Sequence, residues 1–151
     1  MANEYTPQQI LKFLRSVSIM SAAVNGLNGP ISTVLLFHID DDFTLYFATH
    51  SDSFKAKALA LDDRISYSVW EHRKMLVQAD GIATPITDPK EINEILDKLV
   101  SHVGDFWPPV LRLKGEGYVI YKIATKWLRA LDLSQLTIVA PQPPFTEIVF
   151  T

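Results

Sequence analysis

From Ile19 to Ala48 the chain breaks into short apolar and β-branched runs whose connections are too brief to hold anything but a turn. "IMSAAV" and "ISTVLLFHI" are separated by "NGLNG", and "FTLYFA" follows "DDD". Asn-Gly pairs and aspartate clusters are turn formers, so this stretch reads as an antiparallel meander. Two more runs, "RISYSVW" and "KMLVQADGIAT", are joined by the polar link "EHR". In the first of them Ile65, Tyr67 and Val69 alternate with Ser66 and Ser68, as a sheet with one buried face demands.

Helices flank these runs. Thr6 is a predicted N-cap, Pro7 takes the first helical position, Gln9 closes a capping box, and Ile10, Leu11, Leu14 and Val17 give one apolar face. A second helix is predicted over "DPKEINEILDKLVSHVG": Asp88 caps it, Pro89 starts it, Glu91 closes the box and Gly104 ends it. Its stripe is Ile92, Ile95, Leu96, Leu99 and Val103. Beyond the loop "DFWPPVLRLKGEG", the runs "YVIYKIA" and "WLRALDL" read as two final strands. The tail, with Pro141, Pro143 and Pro144, reads as an extended arm before a last short strand. Hairpin-length links between six or more strands predict an α+β domain, an antiparallel barrel with flanking helices that closes to remove exposed edges.

Composition narrows the function. At 151 residues and 48% hydrophobic, the chain suits one domain over 1–151. A net charge of −3 with scattered cations argues against nucleic acid. With no cysteine, thiol chemistry, disulfides and thiolate metal sites are excluded, so redox work needs a bound cofactor. No basic start followed by an apolar run, and no apolar segment of spanning length, is present; the expectation is a cytoplasmic protein without a membrane partner. His38, His50, His72 and His102 are far apart and match no metal-ligand spacing, though a single histidine would suffice for haem.

One stretch carries a candidate site. "FATHSDSFKAKALALDDRIS" ends a strand at Thr49, passes through Ser51, Asp52 and Ser53, and opens a helix containing Lys55 and Lys57. Hydroxyls and free N–H groups at a helix N-terminus suit a phosphate. The alternative is that a serine or Asp52 only caps the helix and the lysines are solvated.

The order of these elements resembles the pyridoxamine 5'-phosphate oxidase-like flavin-binding split barrels over roughly residues 8–132. "LYFATHSDSFKAKAL" is similar to the family's strand and serine-x-lysine phosphate turn, "DDRISYSV" to the strand after it, and "VQADGIA" to the next hairpin strand with its glycine. The resemblance implies a split-barrel homodimer with FMN between subunits. It places Thr49, Ser53 and Lys55 on the flavin phosphate. Thr33, Val34, Leu35 and Leu36 fall on the strand whose backbone lines the isoalloxazine ring. It directs Gln78 toward the flavin, where a solvent-facing role is the alternative, and Trp127 toward the partner's flavin, where core or dimer packing is the alternative.

The departures also carry meaning. Ser32 stands at the family's phosphate-gripping arginine, Phe37 at its substrate-phosphate lysine, and Phe54 at the arginine before Lys55. Without those forks the phosphate grip weakens. Vitamin B6 oxidation is therefore not expected, and Arg73 or Lys74 is a candidate replacement charge. The expected function is hydride or electron transfer between FMN and a nicotinamide or other small substrate. The alternatives are a non-catalytic flavin or haem carrier, a groove blocked by Phe37 and Trp107, and a ligand-free dimer whose proline-rich arm at 141–145 meets a protein partner.

Overall fold

Thr6 starts the first helix as its side chain dictates: Thr6 Oγ1 accepts the Gln9 N–H at 3.2 Å, and Gln9 Oε1 accepts the Thr6 N–H at 2.8 Å. This helix, α1 (Pro7–Val17), buries Ile10, Leu11, Phe13 and Leu14 and ends at Ser18 in the left-handed region, φ 60°. The strands follow as β1 (Ile19–Gly26), β2 (Gly29–Leu36), β3 (His38–Ile39) and β4 (Thr44–His50). After helix α2 (Phe54–Leu61) come β5 (Arg64–Glu71) and β6 (Met75–Pro85). Helix α3 (Pro89–Val103), β7 (Tyr118–Asp132) and β8 (Phe145–Val149) complete the order. This computed structural model describes residues 4–103, 117–134 and 145–151. Gly104, residues 105–116 with Trp107, the prolines at 141–144, and the side chains of His102 and Val103 lie outside the described residues.

Seven strands form one antiparallel path, β2-β1-β5-β6-β7-β4-β3, and β8 adds to β7. The sheet is an open half-barrel, and the expected closure does not occur: β2 and β3 end the path, with no ladder joining them among the described residues. Nor is the order that of a meander. β4 pairs with β7 and β5 with β1, because burying both apolar faces of α1 and the strands draws together segments distant in sequence.

Two strand boundaries also differ from expectation. The run at 31–39 breaks at Phe37, whose N–H bonds Ser18 O while its ring is buried. The two runs after residue 117 are one strand, because Lys126 is bulged out: Gly81 pairs with Thr125 and Asp80 with Trp127. Being 15 residues long, β7 pairs with β4 along residues 118–124 and with β8 along 127–131.

The main core fills the half-barrel, with Phe47, Leu45, Val77, Ile123 and Leu128 fully buried. Tyr67 crosses it, its hydroxyl 2.8 Å from Thr125 Oγ1, which donates to Phe43 O at 2.7 Å. Helix α3 covers a second cluster on Tyr46, Ile86 and Ile120 with its predicted Ile95, Leu96 and Leu99 stripe. Asp88 Oδ1 accepts the Lys90 N–H at 3.3 Å at the start of that helix. No described helix is long and apolar enough to cross a membrane.

Candidate functional site

The turn between β4 and α2 is built by its own side chains. Ser53 is extended at φ −66° and ψ 153°, and its Oγ accepts the Ala56 N–H at 3.2 Å, so this serine caps the helix. Buried Thr49 donates its hydroxyl to the same Ser53 Oγ at 3.2 Å. Capping and phosphate binding are compatible here, because the cap leaves the N–H groups of Phe54 and Lys55 without acceptors inside the helix. Lys55 is half-buried, and that burial lowers its pKa below the ordinary lysine value. Among the described residues no carboxylate forms an ion pair with it. A desolvated cation without a counter-charge, beside a helix N-terminus, favours an incoming anion. Phe54 projects into solvent, 80% exposed, and contributes no charge.

The β2 residues divide by face. Leu35 is in the core, Val34 is 55% exposed, and Thr33 and Leu36 are half-buried. As an end strand, β2 has one backbone edge without a strand partner among the described residues, so its N–H and C=O groups on that side are open to a ligand. Phe37 does not block any groove, being 1% exposed inside the core.

Gln78 and Trp127 meet elsewhere, on the outer face of the sheet. Cross-strand register places Val34, Ser21, Ser68, Gln78 and Arg129 in one row and Ser32, Ala23, Ser66, Asp80 and Trp127 in the next. These small side chains leave a groove of about 410 Å³ between β1 and β7, walled by Trp127 and Arg129. Its lining does not include Thr49, Ser53 or Lys55. The structure therefore joins Thr49 to Ser53, with Lys55 in the helical turn that Ser53 caps, and places Gln78 with Trp127 elsewhere. An adjoining groove of about 470 Å³ shares Ala23, Ser66 and Asp80 and adds Arg64 and Lys126.

Gln78 is engaged within the protein: its Oε1 accepts Arg129 Nε–H at 2.8 Å. Sequence reasoning missed Arg129, together with Ser21, Ser66, Ser68 and Asp80. The signal was present in the period-two spacing of Trp127 with Arg129 and of Gln78 with Asp80, but only register shows that the pairs adjoin. Arg73 and Lys74 sit at the tip of the β5–β6 hairpin and line neither groove; Lys74 pairs with Glu71 at 2.9 Å. His38 bonds Asp40 at 3.0 Å and, like His50 and His72, lines neither groove. No metal-holding group of three acidic or histidine side chains occurs among the described residues.

The sequence profile described as pyridoxamine 5'-phosphate oxidase matches residues 6–131. The chain belongs to this family. Solved structures share its fold. A conserved hypothetical protein from Mycobacterium tuberculosis superimposes with a TM-score of 0.75 at 18% identity, covering 91% of this chain and 93% of its own. General Stress Protein 26 from Bacillus anthracis gives 0.68 at 18% identity, with 94% and 98% covered. An FAD-binding protein from Mesorhizobium loti gives 0.66 at 17% identity, with 86% and 95% covered. At such identities the likeness speaks to the fold. No curated protein matches the chain significantly.

Proposed function

We propose that this chain is a single FMN-binding domain, residues 1–151, working in the cytoplasm as a homodimer that transfers hydride or electrons between FMN and a nicotinamide or other small substrate. The carrying observation is Lys55, half-buried at the start of α2 with no carboxylate paired to it among the described residues. Membership of the family and the flavin bound by the Mesorhizobium loti relative point the same way.

In this reading Lys55 and the first-turn N–H groups of α2 hold the flavin phosphate, while Thr49 orients Ser53. The backbone of Thr33, Val34, Leu35 and Leu36 meets the ring along the open edge of β2. Gln78 and Trp127 complete the set from the outer face, Trp127 toward a partner's flavin. When bound, the flavin supplies the hydride chemistry, so the protein's task is to position and to exclude water. Vitamin B6 oxidation is left out because buried Phe37 and exposed Ser32 supply no cation for a substrate phosphate.

An apolar row supports the homodimer. Ile19 and Trp70, 41% and 59% exposed, share the outer face with half-buried Leu36, Leu76 and Phe145. Covering such a row is favourable in proportion to the area removed from water, and a two-fold interface would cover it on both copies. Trp70→Glu is expected to yield monomers by light scattering.

The deciding experiment is the visible spectrum of the purified protein after adding FMN and removing the excess, with Lys55→Ala alongside. Retained flavin bands that Lys55→Ala loses, together with nicotinamide oxidation, support the enzyme. Retention without turnover makes the protein a carrier, and no retention rejects the flavin reading.

A further inference from the structure

The outer groove contains a cation that its surroundings immobilise but do not neutralise. The Arg129 guanidinium carbon lies 3.9 Å from the centre of the Phe145 ring and 5.6 Å from that of Trp127. Its Nε donates to Gln78 Oε1 at 2.8 Å. Among the described residues the two Nη groups have no acceptor and no carboxylate forms an ion pair with them. Glu147, opposite Arg129 in register, is occupied instead with the Trp127 indole N–H. A guanidinium held flat by a ring and a side-chain amide loses little freedom on meeting a ligand, and its fork matches two oxygens of a carboxylate or phosphate.

We propose that this groove binds a small organic oxyanion bearing a flat ring, with the oxyanion on the Nη fork of Arg129 and the ring along Trp127. The volume of about 410 Å³ lies in the range of small-molecule sites. Hydroxyls of Ser21 and Ser68 in the same row give the floor further donors. Asp80, beside Trp127 in register, repels a second negative charge at that end, so the ligand is charged at one end only. Gln78 is a positioning residue for the arginine. Naming this ligand the second substrate, with Gln78 and Trp127 shared between it and a flavin, rests on the flavin reading; the anion on Arg129 does not, because Arg129 takes no part in that reading and the groove's lining excludes Thr49, Ser53 and Lys55.

Calorimetric titration of the full chain with benzoate tests the site, with acetate as the ringless control. Wild-type protein is expected to bind benzoate saturably and more tightly than acetate. Arg129→Gln weakens benzoate by about tenfold or more, the loss expected for a charge-assisted pair. Arg129→Lys falls between them, because an ammonium cannot reproduce the fork. Lys55→Gln leaves benzoate affinity unchanged, so failure of the flavin reading appears in Lys55 variants and failure of this one in Arg129 variants. Should Arg129→Gln not fold, Gln78→Leu keeps the charge but frees Nε, and weakens benzoate by about threefold through lost preorganisation. Phenyl phosphate titrated in parallel shows which oxyanion the fork prefers, and either preference supports the site. Absence of saturable benzoate binding to the wild type overturns the proposal, as does wild-type affinity in folded Arg129→Gln.

Discussion

The turn between β4 and α2 and the outer groove are two polar features of one small sheet, assembled by opposite means. In the turn, Thr49, Ser53 and Lys55 fall within one strand end and one helical turn, and the Ser53 cap with its bond from Thr49 joins strand to helix. In the groove, five strands each contribute a side chain or two, and the Gln78–Arg129 hydrogen bond joins residues 51 positions apart. A local site needs only its own chain to be ordered. A register-built site needs every intervening ladder to be right, because a one-residue slip turns each side chain to the other face.

A change at Gly81 separates them most sharply. A Cβ there collides with the carbonyl oxygen of Ala124, beside the Lys126 bulge that fixes the β6–β7 register. Gly81→Val is expected to cost about 3 kcal/mol in urea unfolding, the upper range for overpacking against atoms that cannot yield. Wherever the variant stays folded, benzoate binding should fall more than phosphate binding. Equal losses would mean that the turn depends on the same register and would erase the contrast.

Lys55→Ala works in the opposite direction, removing about 2 kcal/mol of FMN affinity as a charged hydrogen bond is lost, while benzoate titrations stay at wild type. A parallel loss of benzoate binding would merge the two sites into one.

Acidity gives a subtler test. Burial lowers the Lys55 pKa below its ordinary 10.5, so the ammonium is disfavoured in the free fold. Lys55 therefore costs stability below its folded pKa, and that cost is relieved as pH rises from the folded pKa toward the unfolded value. Affinity for an anion follows the reverse course, since the anion needs the ammonium: inorganic phosphate binding is expected to fade on the alkaline side before pH 10.5 is reached. Lys55→Arg should remove this fade, and benzoate, held by an arginine, should not share it. A phosphate affinity flat through that range would show that Lys55 does not contact the anion.

The smallest expected effect is that of Thr49→Val, which deletes the hydroxyl bonded to Ser53 Oγ but preserves the cap. About 1 kcal/mol of stability should be lost in thermal melts, with the groove unaffected.

Much of the fold was legible because it is local. Thr6 and Gln9 formed their predicted box, Ser53 was among the predicted caps of α2, and the buried side of β5 is Ile65, Tyr67 and Val69 as alternation required. The misreadings share a cause. The closed barrel was inferred from short links, the meander order from turn signals and the two strands in place of β7 from two separate runs, all local cues, whereas strand pairing is decided by which apolar faces can be buried together. Lys126 is an exposed lysine in a strand-like run, and nothing in its own surroundings marks it as the residue a bulge leaves out.

For the sites the division is the same. Capping at Thr6 and Ser53, period-two burial in β5 and the nearness of Thr49, Ser53 and Lys55 along the chain were legible in the sequence alone, because each depends on residues within a few positions and on backbone chemistry common to all chains. Tertiary structure alone decided that the sheet stays open, that Phe37 belongs to the core, and that Arg129 rests on Phe145 beside Gln78. Those outcomes hinge on which strands become neighbours, and that is determined by the packing of the whole apolar core and not by any one segment.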